Sequence, residues 1–351
     1  MQDIKYVGID LHQSTCLVAI HDWNGKVLSE TVVKTEAEVL RSLFRGLKGT
    51  IQVAFEVGTQ SAWLSETLKS VVNSITVCDV RTQKRRGSKS DRIDAHKLAT
   101  WLRMGELKAV YQGDRNIRKL RDLAHGYLAT VSDSIRVMNR IKALYRSWSI
   151  RCAGRDVYYK RNRSEWISKF PIVESGMRAA LYYRQLDILK EQRKEIKKVF
   201  LKEGRRYPVQ RILRGIPGFG PIRSALTIAV IGTPYRFRTK RQLWSYSGLS
   251  VVIHSTSDHE IIAGRIVRKQ GRHETRGLTR DYNRILKMVF KGAAKEAIRK
   301  DPFRTLYRLK IAKGIRPEMA TLSVARRLAN LTLVLWKRGE KFSTEKLISL
   351  N

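Results

Sequence analysis

Positive charge is divided unevenly along this chain, and that division limits what can fold here. Residues 1–80 hold seven Lys and Arg against nine Asp and Glu, a net of −2, whereas the remaining 271 hold 63 against 22, a net of +41. A merely soluble surface intersperses the two signs. A near-neutral N-terminal unit therefore precedes a strongly basic remainder, whose compact state implies a polyanion that neutralises it. With 351 residues, 42% of them hydrophobic, the chain has material for two or three domains with true cores.

The sequence also excludes several classes. The first apolar stretch contains Asp10 and His12, so nothing resembles a signal peptide. Apolar runs such as Leu333 to Trp336 are too short to span a bilayer, and no lipidation box is present. A cytosolic protein is the expectation, with no membrane partner. Cys16, Cys78 and Cys152 lie far apart, two of them in strand-like segments, which points to buried thiols rather than a disulfide or zinc site. No Walker loop, His-Glu-x-x-His pair or Gly-x-Ser-x-Gly elbow occurs, which removes the commonest ATPase, metalloprotease and hydrolase readings.

Residues 1–105 read as an α/β domain. Lys5–Asp10, Thr15–Ile20 and Val27–Val33 are strand candidates, the last two joined by an Asn24-Gly25 turn. Helical spacing over Glu36–Leu47, a strand at Ile51–Val57, a helix over Ser61–Val72 and a strand at Ile75–Val80 follow. Ser90 is placed to cap a helix from Asp91 to about Met104. Residues 106–205 change character. Leu128, Val131, Ile135, Met138 and Tyr145 fall near coiled-coil spacing, and Leu186, Leu189, Ile196 and Phe200 repeat it. The two segments predict helical coiled-coil arms, antiparallel around the basic stretch Arg151–Arg163; a plain spacer and a dimerising arm are both compatible with this pattern.

Residues 206–351 predict a third, mostly α unit with a helix-hairpin-helix element at Ile216-Pro-Gly-Phe-Gly-Pro221. Its glycines allow a tight turn and Pro221 suits the first turn of a helix, so amides here can take a phosphate. Gly218, Gly220, Arg223 and, further on, Arg276 are the candidate nucleic-acid contacts. Glycine turns between helices also occur with no ligand. The final helix, about Pro317 to Lys337, reads as core.

Four carboxylates stand out by placement. Asp10 and Glu56 each end an apolar strand, and Asp91 and Asp94 lie three apart at a helix start. Converging there, they repel unless a cation intervenes. Mg²⁺ suits such a site, because it binds to few carboxylates together with water and phosphate oxygens. Taken singly, Asp91 and Asp94 can equally serve the helix dipole and Asp10 can cap a turn.

Tyr6-Val-Gly-Ile-Asp10, Glu56-Val-Gly-Thr59 and Lys89-Ser-Asp91-Arg-Ile-Asp94-Ala95 together resemble the DEDD transposases of the insertion-sequence-110 family, relatives of Piv-type DNA invertases. Ile216-Pro-Gly-Phe-Gly220, Phe237, Trp244-Ser-Tyr-Ser-Gly248-Leu249 and Thr275-Arg-Gly-Leu278 followed by Asn283 resemble its C-terminal domain, and Arg276–Ala294 is similar to its 1111 subgroup. The resemblance implies an RNase H-like, Holliday-junction-resolvase-like first domain carrying a Mg²⁺-binding tetrad. It implies a DNA recombinase acting through a covalent phosphoserine intermediate, which lets strands rejoin without ATP. The nucleophile falls in Gly248-Leu-Ser-Val-Val-Ile-His-Ser255-Thr256-Ser257. Ser255 is assigned, while ungapped counting from Gly248 favours Thr256, and Ser257 is a third candidate; the same hydroxyls would also suit a polar turn. The resemblance further implies double-stranded element and target DNA, a structured guide RNA, and homo-oligomers from dimer to tetramer with composite sites. Two other readings are a metal-dependent, resolvase-like nuclease, which leaves nicked DNA with no protein attached, and a non-catalytic nucleic-acid-binding protein, which needs no Mg²⁺.

Overall fold

The computed structural model describes residues 3–80, 91–253, 259–263, 265–268 and 275–344. The chain divides into two compact units, Met1–Gly113 and Asp114–Asn351.

In the first unit, β1 (Ile4–Leu11), β2 (Thr15–His21) and β3 (Val27–Lys34) form an antiparallel meander, with Gly25 at φ 92° in the turn before β3. Helix α1 (Ala37–Arg45) then leads to β4 (Thr50–Glu56), which pairs parallel with β1. Helix α2 (Ser61–Leu68) leads to β5 (Ser74–Cys78), parallel to β4, and α3 spans Asp91–Met104. The sheet order is β3-β2-β1-β4-β5. The three inner strands, β2, β1 and β4, carry most of the buried apolar positions of the sheet, and Val7, Ile9, Val53 and Phe55 are fully buried. Each expected strand and helix of this region is present, although α2 stops at Leu68, short of the expected Val72. The expected cap, Ser90, lies outside the described residues.

The second unit opens with two long helices, α4 (Arg115–Ser147) and α6 (Val173–Gly204), linked by a short α5 (Arg163–Ser168). Their contacts run in opposite directions: Lys119 with Glu203, Tyr127 with Phe200, Tyr145 with Tyr183. The helices are therefore antiparallel. The seam on α4 follows Ile117, Leu120, Ala124, Ser134, Ile141 and Tyr145 inward, and Ile135, which the sequence pattern assigns to the seam, is 52% exposed. Ser134 takes the inward position, its hydroxyl donating to the Thr130 carbonyl at 2.7 Å, and this satisfies the polar group within the helix. At the far end, Tyr145, Tyr158, Phe170 and Tyr183 close a small core of their own around Cys152. Arg163 there grips Asp187 with two bonds of 2.7 and 2.8 Å.

Helices α7 (Val209–Arg214), α8 (Pro221–Ile231) and α9 (Lys240–Tyr246) follow, then the short strands β6 (Val251–Ile253), β7 (His259–Ile262), β8 (Arg265–Arg268) and β9 (Thr275–Leu278). β6 pairs with β9 and β7 with β8. Helices α10 (Arg284–Ala297), α11 (Phe303–Ala312) and α12 (Pro317–Arg338) complete the unit. Ile117, Leu120 and Phe200, at the root of the long helices, share one apolar cluster with α8, α10 and α12. The central and C-terminal regions that the sequence separates at 205/206 thus fold as one compact unit, because the helix pair has no continuous core without those neighbours. Among the described residues no helix is long and apolar enough to cross a membrane.

All three cysteines are free and buried, and burial pushes the Cys78 thiol up to about 12. At pH 8 the native protein should therefore show almost no reaction with a thiol reagent, and three equivalents after denaturation. Rapid titration of any thiol in the native state would contradict this packing.

Candidate active site

The parallel register pairs Ile9 with Phe55. One residue further on, Asp10 and Glu56 stand side by side at the C-terminal ends of β1 and β4. Both line a cavity of about 190 Å³, together with Gly58, Thr59 and Gln60. Gln60 is the residue before α2, and the Ser61 hydroxyl donates to the Gly58 carbonyl at 2.9 Å, tightening the turn that forms the cavity wall. The imidazole Nε2 of His12 lies 3.2 Å from Asp10 Oδ2. The cavity is thus lined by hard oxygen donors, the set that suits a small divalent cation with water and phosphate completing its shell.

The helix carrying the other two carboxylates packs on the same strands. Gly8, two residues before Asp10, is what lets it do so. A Cβ built on Gly8 would sit 2.0 Å from the Ala95 carbonyl oxygen and 2.7 Å from the Ala99 nitrogen. Backbone-to-backbone contact therefore fixes α3 on β1 next to Asp94. Asp94 is half-buried and is not among the residues lining the cavity. Asp91 begins α3, and its side chain lies outside the described residues. Of the four expected ligands the structure brings Asp10 and Glu56 together, and among the described residues no three His, Cys, Asp or Glu side chains converge as a metal-holding group.

A second fastening holds α3 from the other side. His21 Nε2 lies 2.9 Å from His96 Nδ1, and His96 Nε2 lies 2.8 Å from Glu30 Oε2, which Arg92 also reaches at 2.7 Å. This chain links β2 and β3 to α3. Burial, then His96 and Arg103, hold the His21 pKa below its usual value, so His21 is neutral at pH 7. Hydrogen bonding from His96 leads the causes that hold Glu30 below its ordinary range.

Ser255, Thr256 and Ser257 lie outside the described residues. The segment before them, β6, is paired with β9, whose backbone includes Arg276. The glycine turn at 216–221 is present between α7 and α8. Gly218 has φ 84°, a conformation that favours glycine, and a Cβ there would sit 2.2 Å from the Ala293 carbonyl oxygen. Arg223 donates to the Gly218 carbonyl at 2.7 Å, and so braces the turn. Gly220 precedes α8, with open space where a Cβ would be. Of the hairpin residues chosen from sequence, Gly218 and Arg223 thus make packing contacts within the chain, and Gly220 faces open space.

Sequence reading gave no role to Gly8, His12 or the His21–His96–Glu30 chain. Gly8 carried a usable signal, since a glycine inside an apolar strand marks a close backbone approach. The histidines carried none, because residues 21, 30 and 96 are brought together only by the pairing of the sheet with α3.

Comparison with known proteins places these features in one group. Residues 7–148 match the transposase family model DEDD_Tnp_IS110, and residues 210–308 match the model for the transposase IS116/IS110/IS902 family. The first match contains all four carboxylates, and the second contains the glycine turn and the hydroxyl run. The chain is 28% identical over 149 residues to the insertion element IS116 uncharacterized 44.8 kDa protein of Streptomyces clavuligerus, a stretch covering 42% of this chain and 32% of that protein.

The Gly8 contact gives a direct test. Gly8→Ala should destabilise the chain by about 1–3 kcal/mol, the usual result of overpacking against backbone. It should also weaken any Mg²⁺-dependent stabilisation, since α3 must shift. Urea denaturation with and without Mg²⁺ measures both, and an unchanged midpoint would mean that α3 does not rest on β1 as described.

Proposed function

The chain belongs to the IS110/IS116 family of transposases, and from that premise we propose that it is a Mg²⁺-dependent DNA recombinase that cuts and rejoins the ends of an insertion element. The observation that carries this reading is the pairing of Asp10 and Glu56 at adjacent parallel strand ends, in a cavity beside a helix that bears Asp91 and Asp94. The strand order β3-β2-β1-β4-β5, with only the first three strands antiparallel, supports an RNase H-like first domain.

Asp10 and Glu56 would hold Mg²⁺, with Asp91 and Asp94 completing the tetrad. When bound, the ion supplies positive charge to neutralise a phosphodiester under attack. The protein's own residues do the rest. Gly8 and the His21–His96–Glu30 chain hold α3 in register with β1, so the carboxylates are placed before substrate arrives. His12 is within hydrogen-bonding reach of Asp10 and orients that carboxylate. Ser255 is the proposed nucleophile, with Thr256 and Ser257 as the alternatives. Its attack on a phosphodiester forms a Ser–O–P bond and releases a DNA hydroxyl, which conserves the ester for rejoining. Phosphoryl exchange of this kind needs no nucleotide cofactor.

The net charge of +41 beyond residue 80 supports simultaneous binding of duplex DNA and a structured guide RNA. Delegating sequence choice to base pairing accords with a chain in which no base-reading motif is evident. A homo-oligomer is part of the same reading. Met177, Leu181 and Ile188 are 64%, 56% and 59% exposed along one side of α6, a stripe suited to a second copy. We place the protein with its DNA in the bacterial nucleoid.

Denaturing gels of labelled element-end DNA, incubated with the protein, its RNA and Mg²⁺, test the chemistry. A protease-sensitive shifted band is expected for the wild type. It should be lost in Asp10→Ala and Ser255→Ala, each with at least a roughly 10³-fold fall in rate, while nucleic-acid binding persists. Adduct formation by Ser255→Ala but not by Thr256→Ala or Ser257→Ala would reassign the nucleophile. Nicked product with no adduct would replace this reading with hydrolysis by a resolvase-like nuclease.

A further inference from the structure

The second unit contains a cationic pocket of about 240 Å³ between α9, α11 and α12. Lys240, Lys310, Arg326 and Arg327 all line it, along with Trp244 and Ser323, and among the described residues no carboxylate does. Lys240, Lys310 and Arg326 bring like charges into one depression, where an anion would relieve their repulsion. Arg326 is the most telling of the four. Its Nε donates to the Leu249 carbonyl at 2.7 Å, and its backbone carbonyl accepts from the Trp244 indole at 3.0 Å. These bonds fix the guanidinium in place, yet its Nη2 is buried with no hydrogen-bond partner among the described residues. A buried, unsatisfied donor on a charged group is costly, and an anion's oxygen would satisfy it. Burial also pushes Arg326 down from the usual guanidinium value.

The size of the pocket narrows the ligand. It is smaller than the roughly 300–1,000 Å³ of ordinary small-molecule sites, so it suits a phosphate and its nearest sugar rather than a whole cofactor. Its position adds meaning. Leu249 and Ser250 both donate backbone amides to the Trp244 carbonyl, at 2.8 and 3.3 Å, and β6 begins at Val251. The pocket wall is therefore bonded to the root of the strand that leads into the hydroxyl run.

We propose that this pocket binds one backbone phosphate of a nucleic-acid strand, and so anchors that strand near the root of β6, the strand that precedes the hydroxyl run in sequence. The proposal rests on reading the chain as a nucleic-acid enzyme, but concerns binding alone. The test uses the full chain in EDTA, with labelled single-stranded oligothymidylate and oligouridylate of equal length, and measures affinity across a salt series. Lys310→Ala should lower the slope of log affinity against log salt by about 0.7, the loss of one phosphate contact on a single strand. Ser323→Leu removes no charge but fills the pocket, and should lower the slope by the same amount. Both variants should melt as the wild type does, since Lys310 and Ser323 are not fully buried. Loss with the DNA strand, the RNA strand or both identifies the source of the phosphate. A slope reduced by Lys310→Ala but unchanged by Ser323→Leu would show attraction at a distance with the pocket empty, and would overturn the proposal, as would no change in either. Because no metal is present, failure of the recombination chemistry would leave this result standing, and the reverse holds too.

Discussion

Parallel pairing of β1 with β4 is the constraint around which the first unit is organised. Neighbouring strands lie about 4.8 Å apart, so side chains in register on one face must tolerate each other at close range. Apolar pairs such as Val7 with Val53 do this by packing in the core. At the strand ends the same register juxtaposes Asp10 and Glu56, where packing gives way to repulsion. The chain keeps this arrangement instead of relieving it with a neutral residue. Gly8 and the turn into α2 are then spent on the surroundings of the pair, one admitting a helix and the other shaping a cavity wall.

The position of α3 follows from two different kinds of contact. At Gly8 the contact is steric, and any side chain there meets helix backbone. At His21, His96 and Glu30 it is a directional hydrogen-bonded relay that ends on an exposed arginine. The steric contact sets the distance between helix and sheet, and the relay sets rotation and register along them. Together they leave α3 little freedom to slide or turn on the sheet without breaking one contact or the other.

Much of this was legible in the sequence, and what was not has definite causes. Strand and helix identities in residues 1–105 could be read because period-2 and period-3.6 patterns are strong there and turn residues separate them. The long helices were legible too, but not every inward position. Ser134 faces the core because helix geometry puts it there and its hydroxyl bonds internally, while Ile135 next to it faces out. Hydrophobicity alone favours the opposite choice. Asp10 and Glu56 were identifiable because a carboxylate ending an apolar strand is locally anomalous. The histidine relay was invisible, since its members are separated by 75 and 66 positions and owe their meeting to topology. Arg223 looked like a phosphate ligand beside a glycine turn, and the fold uses it as a brace for that turn.

That last contrast bears on how the basic surface should be read. Most of the chain's arginines and lysines are exposed and uninformative one by one, since exposed cations cost little and attract any polyanion. Informative cations are those removed from water. Arg163 is one, and the fold answers it with a bidentate bond to Asp187, whose carboxyl is held below its ordinary range first by that hydrogen bond. Arg326 is another, and the fold answers it with the Leu249 carbonyl, leaving Nη2 unmet among the described residues. The same chain thus shows what a self-neutralised guanidinium looks like and what one awaiting an anion looks like. A structural role explains the first completely. It does not explain why the second is half-buried in one pocket with Lys240 and Lys310, because replacing Arg326 by an apolar residue would pack the same space at lower cost.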